Sequence, residues 1–140
     1  MIWIFLILLA AFIFITFLWD LNKDNDDLGG GTLSEKFSIV VHLINDAAFH
    51  GLGRVTFLHK RSFNLYQEGS NQIINFSYST GHLTITWKYK YFQSEIKHER
   101  QFNNVRNLSV FQQQKLANAI ILEMFEKIDQ HQMAVLRDLD

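Results

Sequence analysis

The first nineteen residues, MIWIFLILLAAFIFITFLW, limit the fold of this chain more than any other stretch, because only Thr16 among them is polar. As an α-helix this run is about 28 Å long, close to the roughly 30 Å hydrocarbon core of a bilayer. Trp3 and Trp19 bracket it, and tryptophan favours membrane interfaces. The run predicts a transmembrane anchor over residues 1–19, with the lipid bilayer as partner and both tryptophans as interface anchors.

A cleaved signal peptide and a buried helix of a soluble protein are the alternatives for this run. A signal peptide has a basic residue before its apolar core and small residues before the cleavage site. No Lys or Arg precedes the run, and Phe17, Leu18 and Trp19 end it. We therefore expect an uncleaved anchor. Without an ionisable side chain, it does not form an ion path by itself.

The flanks of the run bear on its orientation. Only the α-amino group precedes it, and Lys23 is the one basic residue that follows it before Lys36. Basic residues near a span favour the cytoplasmic side, and Asp counts little. We expect a single-pass protein of the bacterial inner membrane, with its N-terminus inside and its domain on the outer, periplasmic side. The opposite orientation is the alternative.

Residues 20–31, DLNKDNDDLGGG, carry a net charge of −3 and end in three glycines, which predicts a flexible acidic linker. Residues 32–140 form the predicted domain, with twelve basic and ten acidic residues. A domain that binds nucleic acid normally has a strong excess of basic residues in a stripe, and this domain has nearly equal numbers of basic and acidic residues. We therefore expect no nucleic-acid partner. The chain has no cysteine, which excludes disulfides and thiolate catalysis.

A capping box predicts the start of the first domain helix. Thr32 is placed as the N-cap and Glu35 as the third helical residue. The helix is expected to run to about His50, with Gly51 ending it. Its apolar residues recur at helical spacing: Phe37, Val40, Val41, Ile44, Ala47 and Ala48.

A second capping box, Ser109 with Gln112, predicts a C-terminal helix that runs to about Met133 or a little beyond. Its apolar residues recur mainly at steps of four: Leu116, Ile120, Ile121, Met124, Phe125 and Ile128. Such aliphatic stripes are typical of a helix that packs on a core.

Between the two helices the apolar period changes to two. In LTITWKYKYF, residues 83–92, the apolar and aromatic side chains alternate with threonines and lysines. This alternation predicts a strand with one buried face. A strand over about Ser62 to Tyr66 is expected before it, and residues Val55 to His59 either extend that strand or form a separate one.

The alternation also predicts pairing partners. A turn around Thr80–Gly81 and a turn around Gln93–Ser94 place aromatic and aliphatic residues on one face, and a slip by one residue would bury Lys88 and Lys90. The predicted pairs are Tyr78 with Leu83, Phe76 with Ile85, Ile74 with Trp87, Tyr91 with Ile96, Tyr89 with His98, Trp87 with Arg100, and Ile85 with Phe102. The fold class is therefore α+β: one transmembrane helix, then a two-layer domain of helix, antiparallel meander of three to five strands, and helix.

His98 and Arg100 are the most interesting polar cluster, because the predicted register places them on the face of Trp87 and Tyr89. These four residues are a candidate binding site for a small anion or a peptide. The alternative is edge protection: inward-pointing charge on a last strand discourages edge-to-edge pairing, and Arg100 would stack on Trp87.

No motif of a known chemistry is present. The six histidines form no HExxH or HxH pair, and the sequence has no GxSxG, P-loop or GxGxxG. We therefore expect no catalytic residues, no metal site and no cofactor, and we expect that the chain is not an enzyme. The leading hypothesis is a membrane-anchored interaction module, an accessory or assembly subunit of a bacterial envelope complex with a protein partner. The alternatives are a membrane-tethered small-ligand-binding or immunity-type domain and an enzyme with an unrecognised site.

Overall fold

A computed structural model describes residues 1–28 and 31–139. Within these residues the chain forms four helices and one five-stranded antiparallel sheet, an α+β fold. The elements, in chain order, are α1 (Ile2–Asp27), α2 (Leu33–Lys36), α3 (Ser38–Phe49), β1 (Arg54–His59), β2 (Ser62–Tyr66), β3 (Gln72–Ser79), β4 (His82–Tyr91), β5 (Ser94–Phe102) and α4 (Val110–Leu139).

Helix α1 contains the predicted anchor. Its stretch from Ile2 to Trp19 is long and apolar enough to span a membrane, and none of that stretch is buried in the protein. The helix then continues to Asp27, so the first eight residues of the predicted linker are helical. No proline or glycine interrupts the chain before Gly29, which lies outside the described residues. Leu28 follows the helix and is buried in the core of the domain.

Both predicted capping boxes are formed. Thr32 Oγ1 accepts a hydrogen bond from the Glu35 amide, and the Thr32 amide donates to the Glu35 carboxylate. Ser109 and Gln112 make the same reciprocal pair at the start of α4. Local side-chain chemistry therefore sets both helix starts.

The first domain helix is split, whereas the sequence predicted one continuous helix. Phe37 departs from helical geometry, with φ −107° and ψ 33°, and separates α2 from α3. Its ring is buried and lies 5.8 Å from the ring of Tyr78. The break therefore coincides with the insertion of a large aromatic side chain into the core. Helix α3 ends at the left-handed residue His50, followed by Gly51, close to the predicted end.

The strands form a simple meander in the order β1-β2-β3-β4-β5, so β1 and β5 are its two edges. Successive side chains alternate between two faces. The inner face lies under α3 and α4 and supplies half of the core: Phe63, Leu65, Ile74, Phe76, Tyr78, Leu83, Ile85, Trp87 and Tyr89. The helices supply much of the other half: Val40, Val41, Ile44 and Phe49 from α3, and Leu116, Ala117, Ile120 and Met124 from α4.

The predicted register between β3 and β4 is confirmed. Tyr78 lies opposite Leu83, and the pairs Phe76 with Ile85 and Ile74 with Trp87 follow from it. The turn between these strands has positive φ at Thr80 and Gly81.

The predicted register between β4 and β5 is wrong by two residues. The turn is Phe92–Gln93, with φ of 47° and 65°, and it places Tyr91 directly opposite Ser94. Positive φ at both central residues is the signature of the two-residue hairpin turn whose twist matches that of the strands. The sequence prediction had placed the turn one residue later.

The two-residue shift in register changes the cross-strand partners of the β5 residues but leaves each residue on its predicted face of the sheet. His98 lies opposite Trp87 rather than Tyr89, and Arg100 lies opposite Ile85 rather than Trp87. Because a two-residue shift preserves the alternation, both residues still lie on the inner face, as predicted.

Candidate functional site

The four residues predicted as a binding site do lie together at the β5 side of the inner face. Trp87 is fully buried and Tyr89 is 7 % exposed, whereas the side chains of His98 and Arg100 are 14 % and 40 % exposed. Helix α4 packs over β4 and β5 at this place. The cluster is therefore covered by a helix and is not an open cleft.

Glu123 on α4 connects His98 and Arg100. One of its carboxylate oxygens lies 2.8 Å from His98 Nε2, and the other accepts a hydrogen bond from Arg100. The guanidinium of Arg100 lies 4.7 Å from the centre of the Phe102 ring. The predicted stacking of Arg100 on Trp87 is thus replaced by stacking on Phe102, which belongs to the same strand.

The two aromatic residues are also engaged inside the protein. Trp87 Nε1 donates to Gln72 at 2.9 Å, and the Phe125 ring meets the Trp87 ring edge-on at 6.3 Å. The Tyr89 hydroxyl accepts a hydrogen bond of 2.8 Å from Gln132 on α4. These contacts use the polar atoms that a ligand would need, so the cluster works as a polar joint between α4 and the sheet.

Sequence reasoning missed Glu123, although one signal pointed to it. Glu123 follows Ile120 by three residues and borders the buried stripe of α4, where a carboxylate lies within reach of the sheet. Identifying its partners needs the packing of α4 on β5, and these residues are more than twenty positions apart in the chain.

The two edges of the sheet differ in their protection. On β5 the inward-pointing His98 and Arg100 are paired with Glu123, and such charges discourage the addition of another strand. On β1 the residues between Arg54 and His59 are uncharged, and Phe57 and Leu58 are 47 % and 57 % exposed. A register shift between Phe57 and His59 confines regular pairing to the first part of β1.

The outer face of the sheet is mostly polar, and its residues other than Ser62 are partly or wholly exposed. Two rows of side chains cross its strands. One row is uncharged except for its last member: Thr56, Asn64, Asn75, Thr86 and Glu99. The next row is cationic at both ends: Arg54, Tyr66, Ile73, Lys88 and Lys97.

A shallow cavity of about 320 Å³ lies across these two rows, and its walls include Asn64, Thr86, Lys88 and Lys97. A second cavity of about 200 Å³ adjoins it and shares Ile73 and Lys88 with it. Sequence reasoning had considered the exposed sheet face as a docking surface but had not singled out these residues, because alternation predicts only that they contact solvent.

Glu99 is the acidic residue beside the first cavity. Thr86 donates a hydrogen bond of 3.0 Å to its carboxylate, and Lys97 Nζ lies 3.5 Å from the same oxygen. The hydrogen bond from Thr86, followed by the charge of Lys97, holds the pKa of the Glu99 carboxyl below its ordinary value. Glu99 therefore remains charged and partly neutralises Lys97.

The predicted interface anchors lie on the exposed helix α1. Trp3 and Trp19 are 78 % and 75 % exposed, and they lie sixteen positions apart in the sequence. In a helix that spacing corresponds to about 24 Å along the axis. Both rings are therefore exposed near the two ends of the apolar stretch of α1.

Among the described residues, no group of three or more His, Cys, Asp or Glu side chains is arranged to hold a metal ion. In comparisons with protein-family models, curated proteins and solved structures, none matches this chain. The functional interpretation therefore rests on the two edges and the two faces of the sheet.

Proposed function

We propose that this protein is a single-pass, membrane-anchored interaction module, an accessory or assembly subunit of a bacterial envelope complex. Its apolar helix would hold the domain at the inner membrane, with the domain on the periplasmic side. The domain would then recruit a protein partner through a free sheet edge. The observation that carries this proposal is the difference between the two edges.

Strand β1 offers what strand addition needs. An extended segment that pairs with an edge gains backbone hydrogen bonds, and adjacent pockets or apolar side chains select its sequence. Phe57 continues the inner face past Phe63, whose ring it meets edge-on at 5.8 Å, yet nearly half of it is exposed. A strand added to β1 would cover this remaining surface.

A paired-cysteine experiment tests this docking edge in its native membrane. The natural chain has no cysteine, so Thr56→Cys on β1 and Gln101→Cys on β5 each give a single reactive site on the outer face. Each variant is labelled in intact cells with a membrane-impermeant maleimide that carries a photocrosslinker. We expect labelling before lysis and a discrete adduct with one protein from position 56 alone.

Two further substitutions make the result specific. Phe57→Lys in the Thr56→Cys background should abolish the adduct, because it places a charge on the docking surface. Phe92→Lys alters another exposed aromatic residue, at the β4–β5 turn, and should leave the adduct unchanged. Equal adducts from both edges, or none from position 56, would contradict the proposal, and labelling only after lysis would overturn the orientation.

A further inference from the structure

The cavity on the outer face has an electrostatic feature that the edge-docking proposal does not use. Lys88 and Lys97 lie directly opposite each other on adjacent strands. Side chains at such positions start about 5 Å apart, and like charges there destabilise a sheet. Lys97 has Glu99 as its counter-ion, but no residue in the described part of the chain forms an ion pair or hydrogen bond with the Lys88 side chain.

The charge of the whole face agrees with this local excess. The strands place four cationic and two anionic residues on it, a net charge of +2 with His82 neutral: Arg54, Lys88, Lys90 and Lys97 against Glu95 and Glu99. The excess is centred on Lys88, which borders both cavities.

We propose that this cavity is a binding site for a phosphate monoester. A phosphate monoester carries a charge near −2 and three acceptor oxygens. It therefore matches the two ammonium groups of Lys88 and Lys97 better than a singly charged carboxylate ligand would. Asn64, whose side chain also borders the cavity, is a further polar group at the site. The phosphate group lies between Lys88 and Lys97 and relieves their mutual repulsion.

The surroundings indicate where the organic part of the ligand lies. Ile73 lines both cavities, and Tyr66 borders the second cavity with 38 % of its surface exposed. This pair gives an apolar patch beside the cationic site. The ligand class is therefore a phosphate monoester with a small uncharged body, either a soluble metabolite or the headgroup of a phosphomonoester lipid.

The test uses the full chain in phosphatidylcholine nanodiscs, with phenyl phosphate as the probe and benzoate as its singly charged counterpart. We expect phenyl phosphate to raise the unfolding temperature of the natural chain and to shift the amide resonances of Ile73, Lys88 and Lys97. Benzoate should bind about fivefold more weakly or worse.

Lys88→Gln separates a binding role from a structural one. Without ligand it should unfold at the same or a higher temperature, because a like-charge pair is removed, while its affinity for phenyl phosphate should fall about fivefold or more. Lys60→Gln removes an exposed lysine in the β1–β2 turn and should behave as the natural chain.

Nanodiscs that contain phosphatidic acid distinguish a lipid headgroup from a soluble metabolite as the source of the phosphate monoester. Amide shifts at the same three residues without added probe would assign the site to a lipid headgroup, and shifts with phenyl phosphate alone would assign it to a soluble monoester. Equal effects of phenyl phosphate on the natural chain and on Lys88→Gln would overturn the proposal. So would tighter binding of benzoate, because that result would indicate a carboxylate-bearing acidic segment. None of these outcomes depends on the β1 edge, so this site and the edge-docking proposal fail independently.

Discussion

The two faces of the sheet are made by alternate residues of the same strands, yet they have opposite roles. On β4 the inner residues Leu83, Ile85 and Trp87 are fully buried, while the intervening residues are wholly or partly exposed. The inner face stabilises the fold through apolar burial and one polar joint to α4. The outer face contributes little to the core and is free to carry uncompensated charge. The comparison shows that adjacent positions in one strand are selected differently: the inner position must fit the apolar core, and the outer position can carry a charge.

The largest effect is expected when two neighbouring residues, one on each face of β4, are replaced by alanine in separate variants. Trp87→Ala should lower the free energy of unfolding by about 3–5 kcal/mol, because it leaves a cavity in a fully buried site. Lys88→Ala should change it by no more than about 0.5 kcal/mol. Chemical denaturation of the full chain in detergent, followed by circular dichroism, measures both. A comparable loss for both variants would show that the outer face also stabilises the fold.

The polar joint on the inner face is expected to give an intermediate effect. Glu123→Ala removes the shared acceptor of His98 and Arg100 and should cost about 1–2 kcal/mol, since the joint is only partly buried. Glu126→Ala removes an exposed carboxylate one turn away on the same helix and is the matched control. The same denaturation experiment applies. If the two variants lose equal stability, the joint contributes nothing beyond ordinary helix charge.

The smallest effect is expected on the outer face, at Glu99. Its folded-state pKa lies below the ordinary value of 4.5, so its interactions stabilise the fold above that pH and are lost as the pH falls through the folded pKa. Thr86→Val removes the donated hydrogen bond and should raise the pKa of Glu99 towards 4.5. A carbon-detected NMR titration of the carboxyl group measures this. Thr84→Val, on the same face opposite Gln101, should leave the pKa unchanged.

Much of the domain was predictable because its signals are local. The capping boxes at Thr32 and Ser109 fix helix starts through contacts three residues apart, and both formed. The break at Phe37 and the helical continuation to Asp27 were not predicted. The first follows from packing against Tyr78, a residue far away in the sequence. The second was missed because the acidic composition suggests a flexible linker, whereas residues 20–27 contain no glycine or proline that would favour ending the helix.

The sequence alone determined which residues of each strand share a face, because side-chain direction repeats every two residues. It could not determine the partners across β4 and β5, since every shift by two residues preserves that alternation. The tight turn at Phe92 and Gln93 decided the register. Only the packing of α4 decided that Glu123 contacts His98 and Arg100, so the predicted binding residues are also part of the contact between α4 and the sheet. The like-charge pair of Lys88 and Lys97 likewise emerges only when β4 and β5 are aligned, because the two residues are nine positions apart in the chain.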